Sequence, residues 1–293
     1  MKKNISKEEL ENDLLYGTLQ ALHKCITGMG QKVFVIGATA RDLMMKLLDE
    51  TSSKRKTIDL DVAIALSDWS QFNNLREILQ DHYFHKGKAK QKFYYKGEQH
   101  ENDYEVDIVP FGEIADDEII AWPPDGAPKM SVRCFADVME HAIPISINEE
   151  FIVYIASLAG QFFIKLDSWI DRHDRDHKDA EDMFFILDKY YLANIMDNQI
   201  PPDDVNNDIN EALIRSAQWI GSNIRNILST EHLNYYSEII QKELNKGTDS
   251  ELIKDFIILY GDEKINAYET CYDIWNSILE ILNKEITFRN GDQ

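Results

Sequence analysis

The chain has 293 residues, enough for two domains at about 100–200 residues each, or for one large one. Apolar residues make up 44% and charged residues 28%, an ordinary globular composition that excludes a disordered or fibrous chain. With 31 Lys and Arg against 52 Asp and Glu the net charge is −21, which repels nucleic acid and anionic membranes at long range.

A polyanionic ligand therefore needs a locally basic patch or bound cations. The opening MKKNISKEELEND carries lysines but no apolar run behind them, so a secretory signal is not expected. The longest apolar stretch, near residues 151–164, is too short to span a bilayer. Cys25, Cys134 and Cys271 form no CxxC pair, which argues against a disulfide framework and a structural zinc site. The expected setting is cytoplasmic and reduced, with no membrane partner.

In chain order, Ser6 and Glu9 have capping-box spacing. Leu15, Leu19, Leu22 and Ile26 follow at helical spacing, closed by Gly28 and Gly30. Residues 32–36 (KVFVI) read as a short buried strand that runs directly into Gly37 and a helix to about Asp49. A polar loop, 51–56, precedes a second strand at 57–66, and Trp69, Phe72, Leu75 and Leu79 mark a helix. Further strands are expected at 92–95 and 104–109. Five of the seven prolines lie between Pro110 and Pro144, which predicts loops and short edge strands there. From Ser157 onward the pattern is helical, with segments near 211–228, 232–244, 251–260 and 263–282 beyond Pro201 and Pro202. The predicted class is α+β, with an α/β domain over 1–156 and an all-helical domain over 157–293.

In a strand, residues i and i+2 share a face, so Asp59 and Asp61 project together while Leu60 and Val62 face the other way. Two like charges side by side destabilise a strand unless a cation sits between them. Mg²⁺ is usually held by one or two carboxylates plus substrate phosphates. The bland alternative is an edge strand with a solvated acidic face. Upstream, Gly37 ends a strand and opens a helix, the geometry in which backbone N–H groups and the helix dipole bind phosphate. Downstream, Asp107 offers a third carboxylate on another strand. Glu105 shares its face, but Asp107 is flanked by apolar residues on both sides and is the preferred ligand. The ordered set suits chemistry in which Mg²⁺ or Mn²⁺ clamps a nucleoside triphosphate and activates an attacking hydroxyl.

Five segments carry a resemblance: VIGATARDLMM (35–45), TIDLDVAIALSDW (57–69), VDIVPFGEI (106–114), WPPDG (122–126) and SLAGQFFIKLDSWIDRHDRDHKDAEDMFFIL (157–187). In this order they resemble the nucleotidyltransferase superfamily and, more narrowly, the AbiEii/AbiGii toxin-type nucleotidyltransferases of bacteria, over roughly residues 30–190. The resemblance implies a nucleotidyltransferase-fold mixed β-sheet flanked by helices, with an NTP site at its edge. It implies Asp59, Asp61 and Asp107 as metal ligands and catalytic residues. Gly37, with Ala38 beside it, and Lys165 would face the triphosphate. By their nearness to the glycine turn and the Asp59–Asp61 strand, Arg41, Arg55 and Lys56 are placed for phosphates with Thr57 in support, or Arg41 and Asp42 form a structural pair at the helix start. The sequence departs from the broad pattern in having Ala38 and Thr39 where a second Gly or Ser is usual. The arginine-rich segment of CCA-adding enzymes has no counterpart. The implied reaction moves NMP from an NTP to an acceptor hydroxyl with release of pyrophosphate. The implied setting is a type IV toxin–antitoxin or phage-defence system, with tRNA as acceptor and a cognate antitoxin as partner.

In the helical half, Lys165 interrupts an apolar stripe of Leu158, Phe162 and Trp169 that Arg172 continues. A lysine there needs a partner or a route to water. Asp179 and Asp182, three apart, could orient Lys165 or a substrate hydroxyl, or stand as solvated helix acids. His173 and His177 have the i, i+4 spacing of a zinc helix, which keeps a His/Asp metal hydrolase as one alternative. Lys86, Lys88, Lys90 and Lys92, beside Phe93, Tyr94 and Tyr95, read either as a nucleic-acid contact or as a charged edge strand. A non-catalytic nucleotide-binding or interaction protein on the same fold is the other alternative.

Overall fold

The computed structural model describes residues 4–48, 59–97, 103–206 and 211–284. The chain forms two compact units, Met1–Ile186 and Leu187–Gln293.

The first unit opens with β1 (Asn4–Ile5), α1 (Lys7–Leu10) and α2 (Asp13–Gly28). Ser6 and Glu9 close the expected capping box on α1, and Asn12 caps α2 by accepting from the Leu15 N–H at 3.1 Å. Leu15, Leu19, Leu22 and Ile26 form the buried face of α2. There follow β2 (Phe34–Ile36), α3 (Gly37–Leu47), β3 (Asp59–Ala65), α4 (Trp69–Gln80), β4 (Phe84–Lys86), β5 (Lys92–Tyr95) and β6 (Tyr104–Phe111). A small two-stranded sheet, β7 (Ile119–Ala121) with β8 (Lys129–Ser131), leads to α5 (Phe135–Glu140), β9 (Ile143–Ile147) and β10 (Phe151–Ile155). Two helices, α6 (Leu158–Arg172) and α7 (Lys178–Met196), follow, and Ser157 caps α6.

Eight strands make one mixed sheet in the order β1-β9-β10-β2-β3-β6-β5-β4. β2 runs antiparallel to β3, and β3 runs parallel to β6. The alternating side of β3, Leu60, Val62 and Ile64, is fully buried, as are Val106 and Ile108 of β6. The opposite side therefore carries the polar residues, and this difference in burial fixes the register.

The proline-rich stretch corrects one expectation. Pro110 and Pro144 lie inside β6 and β9, neither of which is an edge strand. Each sits where only one flank is paired: Pro110 faces Ile64 beyond the end of the β5 pairing, and Pro144 faces Tyr154 beyond the reach of β1. A missing N–H is tolerated at such a position.

The change to helical structure comes at Ser157, while the division into compact units comes after Ile186, because α6 and the first half of α7 belong with the sheet. The second unit contains α8 (Ala212–Arg225), α9 (Thr230–Asn245), a short 3₁₀ turn, α10 (Glu251–Tyr260) and α11 (Ala267–Leu282). Its core gathers Trp219, Ile220, Tyr236, Ile240, Phe256, Ile274, Trp275 and Ile278, with Phe256 edge-on to Trp275 at 4.9 Å. Among the described residues no helix is long and apolar enough to cross a membrane.

All three cysteines are buried and unbridged. Burial pushes the Cys25 thiol up to about 11 and the Cys271 thiol up to about 12. Native protein at pH 7.5 is expected to leave Ellman's reagent unreacted, and all three thiols should react once guanidinium unfolds the chain. Fast reaction of any thiol in the native state would contradict this packing.

Candidate active site

The turn at Gly37 is set by the sheet. β2 ends with Ile36 opposite Asp61, so the next residue must turn beside that carboxylate. Gly37 does so with φ +69°, and a Cβ there would lie 2.8 Å from Asp61 Cγ. Both the backbone and the close approach therefore require glycine. α3 starts here with no side-chain cap and no acidic residue in its first turn. Its leading N–H groups and the positive end of its dipole are thus left without a side-chain oxygen.

Asp59 and Asp61 leave β3 on the same face. The parallel register pairs Asp59 with Glu105 and Asp61 with Asp107 on β6. Side chains at paired positions share a face, so four carboxylates stand at one end of two adjacent strands. Burial pushes the Asp61 carboxyl up to about 7, with Asp59 and Asp107 adding to the shift and Lys165 and Arg172 opposing it. Asp107 is also raised, chiefly by burial, against the pull of Lys92.

Glu105 and Asp107 differ in their partners. Glu105 is held by the Lys92 ammonium and by a hydrogen bond with the Tyr94 side chain. Asp107 Oδ1 is buried and accepts no hydrogen bond; Lys92 Nζ lies 3.4 Å away. An ionised carboxylate oxygen so placed calls for a cation. This donor chemistry, hard oxygens on adjacent strands with one met only by a lysine ion pair, fits Mg²⁺ or Mn²⁺. As the side chains stand, no group of three His, Cys, Asp or Glu among the described residues converges closely enough to hold an ion.

A cluster of paired cations and aspartates adjoins the Gly37 turn. Lys165 on α6 pairs with Asp182 at 2.8 Å and Asp179 at 3.3 Å, both on α7. Burial lowers its affinity for a proton, but the two aspartates outweigh burial and leave the ammonium raised. Arg172 forks onto Asp179 at 2.6 and 2.8 Å, and Asp179 is fully buried. Arg41 on α3 pairs with Asp42 at 3.0 Å and with Asp182, and lies over the Phe185 ring. Gly37, Ala38, Arg41 and Lys165 meet around one tight crevice with Gln161, Asp182 and Ile186, with no room for a water molecule. The four residues expected to face phosphates are thus adjacent, although the crevice between them is too tight to admit a phosphate as it stands. Arg55 and Thr57 lie outside the described residues.

Two residues that the sequence did not single out as site residues position this site. Thr39, noted only as a departure from the family pattern, donates from Oγ1 to the Asp59 carbonyl at 2.7 Å, tying the first turn of α3 to the start of β3. Gln161 donates to the Ala156 carbonyl at 2.6 Å and fixes the start of α6 against β10. Neither contact has a sequence signal beyond a buried polar residue on an apolar face.

The histidine pair does not form a helical metal face. α6 ends at Arg172, and both histidines lie in the turn before α7. His173 stacks on Trp169 at 4.2 Å and contacts the Trp169 carbonyl through Nδ1. The lysine cluster is likewise dispersed: Lys90 binds Asp125 at 2.6 Å and Lys92 turns to the carboxylates, while Lys86 and Lys88 are exposed.

No family model matches the chain, and no curated protein matches it. Among solved structures, the solution structure of the antibiotic-resistance factor ANT(2'')-Ia matches with 14% identity and a TM-score of 0.34, covering 62% of this chain and 86% of that one. A likeness of that size carries no weight for chemistry. The nucleotidyltransferase resemblance therefore rests on the residues and their arrangement.

Proposed function

We propose that this chain is a nucleotidyltransferase, moving NMP from an NTP to an acceptor hydroxyl. The observation that carries the reading is the pairing of Asp59 and Asp61 with Glu105 and Asp107 on one face, directly beside the uncapped helix that Gly37 opens. Asp59, Asp61 and Asp107 are the residues that would hold Mg²⁺ or Mn²⁺. Bound there, such an ion supplies charge neutralisation and lowers the pKa of an attacking hydroxyl.

The chain's own residues do the rest. The first-turn amides of α3 and the Lys165 ammonium present positive charge to the triphosphate. Asp179 and Asp182 hold Lys165 and Arg172 in place, so these two paired cations are already positioned when substrate arrives. Thr39 ties the first turn of α3 to the carboxylate strand through the Asp59 carbonyl. The finer assignments, an RNA acceptor such as tRNA, a toxin or phage-defence role and a cognate antitoxin, rest on the AbiEii/AbiGii resemblance alone.

The test is incubation with each α-labelled NTP, Mg²⁺ and total bacterial RNA, beside Asp61→Asn. Label on an RNA band with the wild type only supports the reading and names base and acceptor. Label on protein would move the acceptor class. NTP binding with no transfer to RNA, protein or small molecules would favour a non-catalytic nucleotide-binding protein.

A further inference from the structure

Lys92 stands on β5 directly across from Asp107 on β6, so its side chain rises on the carboxylate face. Its ammonium pairs with Glu105 and lies 3.4 Å from Asp107 Oδ1, the buried oxygen that accepts no hydrogen bond. With 23% of its side chain exposed, it is flanked by carboxylates that are 33% and 24% exposed. Lysine offers a compact point charge on a flexible stem, the side chain best able to occupy the edge of a cation site and then withdraw. Tyr94, two residues along the same strand, holds Glu105 from the other side.

We propose that Lys92 is a positioning residue for the metal set. Its ammonium partly neutralises Asp107 when no divalent cation is present, and it keeps Glu105 out of the coordinating group. This inference rests on the metal-site reading above and deepens it. Binding of a divalent cation moves the ammonium off Asp107 and leaves it on Glu105, so Lys92 and the cation compete for one oxygen. Removing the ammonium then has two effects of the same sign. It ends the competition, and it frees Glu105 to serve as an additional ligand.

The probe is Mn²⁺ alone, titrated into the full chain without nucleotide and read by electron paramagnetic resonance of the free ion. Lys92→Met is expected to bind Mn²⁺ more tightly, by at least about fivefold, the lower end for coupled sites. Lys92→Arg keeps the charge and should stay near wild-type affinity. A residue with only a structural role would weaken binding when replaced, not tighten it. Unchanged or weaker binding in Lys92→Met, with wild-type far-ultraviolet circular dichroism, would overturn the inference and leave the metal reading intact. Should Lys92→Met fail to fold, Lys92→Gln makes the same test with a polar side chain of similar length. Absence of Mn²⁺ binding by the wild type itself would overturn both.

Discussion

Replacing Asp61 with Asn should abolish nucleotidyl transfer while making the metal-free protein more stable at pH 8. Lesions to the residues that merely support metal ligands cost about 10–100-fold, so loss of a ligand at the centre of the set should exceed about a hundredfold. The stability effect follows from proton linkage. Burial raises the folded-state Asp61 carboxyl to about 7, well above its unfolded value. Between those two values the folded state holds a proton that the unfolded state has released, so stability falls as pH rises through that window. Above about pH 7 the buried charge is fully present, crowded by Asp59 and Asp107. Asn carries no charge and removes the share of the pH dependence that comes from Asp61. Thermal melts in EDTA should show Asp61→Asn above wild type at pH 8 and level with it near pH 4. A mutant that melts lower at pH 8 would contradict the strained, cation-seeking carboxylate described here.

Gly37→Ala is expected to cost both stability and activity, for two separable reasons. An L-residue in the left-handed region costs about 1–2 kcal/mol, and Gly37 sits at φ +69°. The new Cβ would also meet Asp61 Cγ at 2.8 Å, pushing that carboxylate out of its place on β3. Only the second cost involves Asp61. In a double-mutant cycle with Asp61→Ala, the steric part should shrink to the contact with the remaining Cβ at 3.0 Å, and the backbone part should remain. Chemical denaturation of the four proteins measures this. Strict additivity would mean that the turn and the carboxylate do not press on each other.

How much of this was legible in the sequence varies with the distance over which each feature is determined. β5 at Lys92–Tyr95 and α10 at Glu251–Tyr260 have the bounds their patterns predict, since a run of period 2 or 3.6 is a local property. β1 and β4 escaped because two or three residues carry no period, while β7 and β8 fall in the proline-rich stretch where short edge strands are expected without bounds. That Asp59 and Asp61 share a face follows from strand geometry alone. That β3 lies beside β6 in a register bringing Asp61 to Asp107 does not, because pairing between strands over forty residues apart leaves no local mark. Lys165 announced its need for a partner by interrupting an apolar stripe, and Asp179 with Asp182 supply it. The histidine pair lies in the connection after α6, as expected of a polar stretch between two helical patterns. Lys92 read as one charge in a basic run, yet its strand position turns it onto the acidic face.

The most direct measurement compares NTP labelled at the α-phosphate with NTP labelled at the γ-phosphate, using purified protein, Mg²⁺ and total RNA. The account predicts acceptor-bound label from the α position only, with the γ label recovered as pyrophosphate and nothing transferred by Asp61→Asn. Acceptor-bound label from the γ position, or equal transfer by Asp61→Asn, would contradict it.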